Sequence, residues 1–204
     1  MKKLLGSVLF CLTIYGAFWT MELLLDRTVL NDQLIRLHIV ANSDSDRDQM
    51  VKLKVRDAVL DYLQEGLCDV SNMTEAKVYI QSELAQIEQI ANETLRAFGV
   101  EDKALASFCR ERFDVRHYDT FSLPSGMYES VRILIGEGKG HNWWCVTYPS
   151  FCIPAASQGF ETVAAGAGFS SGLTKTLTGV RGYEVRFYLL DKLGQWKNNM
   201  TNHK

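Results

Sequence analysis

Gly136, Gly138 and Gly140 stand at alternate positions in the segment IGEGKGHNWWC, and glycine-rich loops of this kind can wrap a phosphate with backbone N–H groups. Such a loop must run straight into a helix, so that the N–H groups and the positive end of the helix dipole face the anion. Here Asn142-Trp143-Trp144-Cys145-Val146 follows, with the aromatic and β-branched character of a strand, and no Gly-Lys-Ser/Thr follows. The glycines therefore predict a tight connection between two strands. A Cys145 nucleophile with His141 as its base would need a third, orienting group, which the sequence does not offer. Asp44, Asp46 and Asp48 alternate like calcium ligands. Counting Asp44 as position 1, however, Gln49 falls where that loop needs glycine and Val55 where it needs glutamate. They read instead as acids of a first helical turn, with Ser45 as the cap. His38, His117, His141 and His203 lack metal-ligand spacing. No catalytic residue, metal or cofactor is expected.

The same residues are suited to binding. Adjacent tryptophans in a strand point to opposite faces. Either both indoles are buried against helices, or one stands exposed beside Tyr128 and His141. An exposed tryptophan with arginine and tyrosine nearby is the usual make-up of a binding hot spot. Arg132, Glu137, Lys139 and Asn142 would form its polar rim, so the expected partner-binding set is Tyr128, Arg132, Glu137, Lys139, His141, Asn142, Trp143 and Trp144. Cysteines 68, 109, 145 and 152 allow three pairings in an exported chain. Cys145 and Cys152 bracket the turn Tyr148-Pro149-Ser150 and are expected to form a disulfide, leaving Cys68 and Cys109 free or mutually paired.

These residues need a scaffold, and its elements are legible in outline. Lys2 and Lys3 precede an uncharged run over residues 4–21, long enough to just cross a bilayer, and Glu22 and Asp26 follow it. The charge order leaves the N-terminus in the cytoplasm and exports the rest, through either a cleaved signal peptide or an anchor over residues 1–25. Cys11 lies in the apolar run. Residues 26–33 read as a polar connector, 34–40 as a buried strand, and 47–64 as an amphipathic helix stopped by Gly66. A second helix follows residues 71–74 and ends at Gly99. Strands are expected at 104–109, 113–118, 128–135 and 143–148. The Gly/Ala/Ser/Thr-rich stretch 154–182 reads as a linker or loop, 183–190 as one more strand, and 197–204 as a disordered tail. The predicted class is α+β: two helices packed on one face of a mainly antiparallel sheet over residues 26–153, preceded by a transmembrane or signal segment. The net charge of −2 argues against nucleic acid as a partner.

Three stretches, residues 34–63, 120–152 and 183–191, resemble the stage II sporulation protein R family. The block IGEGKGHNWWC is the most unusual of the shared sequence. Residues 154–182 depart from the family, which often continues there with structured sequence. The resemblance implies a non-enzymatic signal, made in the forespore and exported into the space between the two membranes. There it would activate a membrane-embedded aspartic protease, which removes the pro-sequence of an early mother-cell sigma factor. The expected partners are that protease and, through the N-terminal segment, the membrane; no nucleic acid or small-molecule substrate is expected. The alternatives are an exported cell-wall hydrolase or thiol enzyme, and a structural envelope protein.

Overall fold

A computed structural model describes residues 2–118, 121–149 and 160–179. The elements are α1 (Lys2–Gln33), β1 (Ile35–Val40), α2 (Asp46–Leu67), α3 (Met73–Ser82), α4 (Leu84–Ala97), β2 (Ala104–Phe113), β3 (Arg116–His117), β4 (Ser122–Leu123), β5 (Gly126–Ile135), β6 (Asn142–Tyr148), α5 (Phe160–Gly166) and α6 (Ser171–Thr178). They fall into two compact units, the larger over residues 31–113 and 127–169.

In the larger unit, β1 lies inside a four-stranded sheet of order β2-β5-β1-β6. It runs parallel to β5 and antiparallel to β6. The class is α+β, and the sheet is mixed. An inner strand is covered on both faces, and all six residues of β1 are buried. Ile35, Leu37 and Ile39 join Val131, Ile133 and Cys145 in one core with Val55 and Val59 of α2 and Ile87, Ala91 and Leu95 of α4. The stripe of apolar residues three and four apart in each helix is what that face requires.

Two helix boundaries differ from expectation for tertiary reasons. Gly66 lies inside α2 and does not end it. Its lack of a side chain makes room for α3, since a Cβ there would lie 1.7 Å from the Tyr79 hydroxyl oxygen. The second predicted helix is two, broken at Glu83 with φ −94° and ψ 4°. No glycine or proline marks the break. The Tyr62 hydroxyl of α2 donates to the Glu83 carboxylate there, and that carboxylate pushes the phenol well above its ordinary pKa.

Residues 26–33, expected as a connector, continue α1 to Gln33, and Leu30 within them is fully buried. Over most of its length α1 is apolar and exposed, long enough to cross a membrane as an anchor or signal segment. In the smaller unit, Arg27 donates to the Ser125 carbonyl at 2.7 Å and approaches its hydroxyl at 3.2 Å. The strand expected over 113–118 is here the two-residue β3, paired antiparallel with β4. Helices α5 and α6 fall within 154–182, where the sequence suggested a linker. Ser170 caps α6 by accepting from Leu173 N–H, and Leu173 and Leu177, one turn apart, are buried. The expected strand 183–190 and tail 197–204 lie outside the described residues.

Candidate functional site

The connection β1–α2 and the connection β5–β6 meet at one end of the sheet, because parallel β1 and β5 finish side by side. Ser45 accepts from Asp48 N–H and starts α2 as the sequence predicts. That turn leaves Asn42, Ser43 and Asp44 facing the glycine segment. The two loops are bonded through their backbones. Lys139 N–H donates to Asn42 O at 3.0 Å, Gly140 N–H to Ala41 O at 2.9 Å, and Glu137 N–H to the Asn42 side-chain oxygen at 2.9 Å. Each glycine has a separate reason to be there. Gly136 and Gly138 have φ of +56° and +61°, the left-handed region that side chains rarely adopt. Gly140 has no such φ, but a Cβ on it would lie 2.2 Å from Ser43 O.

Charge is arranged around this junction. The Asp44 carboxylate accepts from His141 N–H at 2.6 Å and from the His141 ring at 2.5 Å; the backbone N–H is the larger cause holding Asp44 below its ordinary pKa. Asp48 is also lowered, first by the Ser43 hydroxyl at 2.5 Å, with Asn42 adding a second bond. Lys52 is 5% exposed and donates to the His141 carbonyl at 2.9 Å and to Gln49 at 2.6 Å. Burial pushes its ammonium below its ordinary pKa. Glu137 and Lys139 pair with each other at 2.7 Å on the exposed tip. The three aspartates thus go to His141, to solvent and to the loop's own hydroxyl and amide groups.

The sheet's other face carries a buried polar and aromatic row. Arg132, His38 and Trp144 are direct neighbours across β5, β1 and β6. The His38 ring stacks on Trp144 at 3.6 Å between centroids. Its Nδ1 is 3.1 Å from both Glu111 carboxylate oxygens, and its Nε2 is 3.1 Å from the Asn142 side-chain oxygen. Burial pushes the Glu111 carboxyl up, but the bond to the His38 ring and the charge of Arg132 outweigh it, leaving the pKa lowered. Phe113 meets Trp144 edge-on at 4.8 Å, and Arg36 lies 4.0 Å over the Phe113 ring.

Of the eight residues predicted to bind a partner, Glu137, Lys139, His141 and Asn142 are exposed together at the loop end. Trp143 and Trp144 do take opposite faces: Trp143 packs half-buried against the helix-side core under Arg56, at 5.1 Å, and Trp144 stacks half-buried on His38. Arg132 sits in mid-sheet beside His38. Tyr128 is fully buried near the start of β5, against Phe113 and Arg36, so its side chain is absent from the surface rim. Cys68 and Cys109 carry free thiols. Cys145 is buried on β6, and Cys152 lies outside the described residues. Sequence reasoning missed Lys52, Glu111 and Phe113. Lys52 gave a signal, because a lysine one position after Val51 on α2 falls beside the buried stripe.

The family model described as stage II sporulation protein R matches residues 31–158, which hold both loops and the whole sheet. The stage II sporulation protein R of Bacillus subtilis (strain 168) is 40% identical over 131 residues, covering 64% of this chain and 58% of that relative. The matched stretch thus spans less than two thirds of the relative's length. No solved structure matches. With well over half of the chain matched, and the glycine junction inside the match, the chain belongs to the stage II sporulation protein R family.

Proposed function

We propose that this sporulation protein is an exported, non-enzymatic signal that binds and activates a membrane-embedded aspartic protease, which then processes the precursor of an early mother-cell sigma factor. The observation that carries the reading is the family match over residues 31–158, joined to an apolar helix, α1, that opens with two lysines. The charge order supports a domain outside the cytoplasm, and the family match supports the space between forespore and mother cell as its location. The pinned loop end presents Glu137, Lys139, His141 and Asn142 to a partner. Activation follows from differential binding: the signal favours the protease's active state and shifts its population. Moving that balance from mostly inactive to mostly active takes about 5.5 kcal/mol of differential affinity, within reach of two or three hot-spot side chains.

Co-expression with the protease and its sigma precursor in a non-sporulating host tests this. Precursor shortening that requires this chain is the expected result; no shortening with a correctly exported chain overturns the proposal. An alkaline phosphatase fused after Lys204 reports the topology and should be active.

A further inference from the structure

Among the described strands, β2 is an outer strand of the sheet, and helix α4 closes only part of its outward edge. Lys103 O accepts from Gly136 N–H, so residue 103 faces inward. Backbone groups alternate sides along a strand, so those of residues 104, 106, 108, 110 and 112 face outward. Helix α4 covers the first two. Asn92 accepts from Ala104 N–H and donates to Ala104 O, both at 2.9 Å, and the Glu88 carboxylate accepts from Ala106 N–H at 2.9 Å. These side chains stand where a neighbouring strand would. Beyond them, no described strand pairs with the outward edge of β2 at residues 108–112.

We propose that this open stretch, residues 108–112, accepts an extended acidic segment of another protein as an added strand. Outward N–H and C=O groups at alternate positions supply the affinity in such docking, and flanking side chains select the partner. The exposed flanking side chains here are cationic, Arg110 and Arg112. A carboxylate already finds this edge, since Asp32 is 3.8 Å from the Arg110 guanidinium. Charged residues on an edge strand discourage indiscriminate pairing. Here the guard has a sign. A second copy of β2 would set arginines beside arginines, whereas glutamates in an incoming strand would meet them.

The test uses the full chain in detergent micelles and two synthetic probes, acetyl-Glu-Val-Glu-Val-Glu-amide and its lysine counterpart. Hydrogen–deuterium exchange is followed at single amides. The acidic peptide should slow exchange at Phe108, Arg110 and Arg112 at least tenfold, and the lysine peptide should not. Arg110→Pro removes one outward N–H and should abolish the effect, while the inward amides of Cys109 and Glu111 stay protected and report an intact sheet. The double charge reversal Arg110→Glu, Arg112→Glu should switch the preference to the lysine peptide. Unchanged exchange with the acidic peptide overturns the proposal. So does equal protection by both peptides, or protection that rises with chain concentration alone, the signature of a second copy. None of these readings depends on protease activation, so a failure of the signalling proposal is seen separately.

Discussion

Gly140→Ala is the sharpest probe of the loop junction. The added methyl would sit 2.2 Å from Ser43 O and 2.5 Å from Ser43 C. A carbon and a carbonyl oxygen come no closer than about 3.3 Å in comfortable contact, so the two loops must part by about 1 Å. Both clashing atoms are backbone, so no rotamer change relieves them. Parting the loops breaks three bonds that span the junction: Lys139 N–H to Asn42 O, Gly140 N–H to Ala41 O, and His141 N–H to Asp44, at 3.0, 2.9 and 2.6 Å. At about 1 kcal/mol net for each, the loss is about 3 kcal/mol. For a domain of this size that lowers the melting temperature by roughly 10 °C. The assay is a thermal melt by circular dichroism, with Gly166→Ala as the control. Gly166 ends α5, and a Cβ there meets nothing within 4 Å. The control should be neutral or stabilised by about 0.5–1 kcal/mol. A Gly140→Ala melt within about 2 °C of wild type, less than 1 kcal/mol on the same scale, would refute the backbone interlock.

Trp144→Ala removes the His38 stack and the Phe113 contact and should cost about 3 kcal/mol in a melt, whereas exposed Glu137→Ala and His141→Ala should stay within about 0.5 kcal/mol of wild type yet weaken precursor processing. Glu111 is held below its ordinary pKa of 4.5, so its contribution to stability is complete above that pH and is lost as pH falls through the lower folded value. Glu111→Gln should therefore flatten the acid limb of a stability–pH profile below pH 4.5, and its difference from wild type should not change with pH above it. Non-reducing mass mapping of exported protein should find Cys145 joined to Cys152, a short loop that contributes roughly 2–3 kcal/mol by chain entropy; both cysteines as free thiols would remove the bridge.

What could be read in the sequence was local. Ser45 with acids after it marks a helix start wherever it occurs, and the structure has that cap. The glycine segment lacked a following helix, which pointed to a strand connection, and β5 and β6 flank it. Other features depend on distant residues. At the break the Glu83 carboxylate accepts from Tyr62, 21 residues away, a partner that the local sequence does not show. Gly66 carries the usual sign of a helix end, but its reason is Tyr79 on the next helix. In 154–182 the Gly/Ala/Ser composition masked a short but regular signal, Ser170 as cap with Leu173 and Leu177 one turn apart. Composition over a long window outweighed a pattern that needs only eight residues.

The candidate site divides the same way. Asn42–Asp48 and the glycine segment each read as a polar loop, about 95 positions apart, and nothing local says that they join. Their joining follows from the parallel pairing of β1 and β5, which puts both exits at one end. It also alters what the loops can do. Immobilising a flexible side chain on binding costs about 0.5–1.5 kcal/mol, and ordering a loop adds to that. Here Asn42, Ser43 and the backbone of 137–141 are already tied, so a partner has only the tips of Glu137, Lys139 and His141 left to order. The glycines that resembled a phosphate cradle serve instead to let two backbones touch, and that contact fixes the backbone that carries the exposed charges of the loop end.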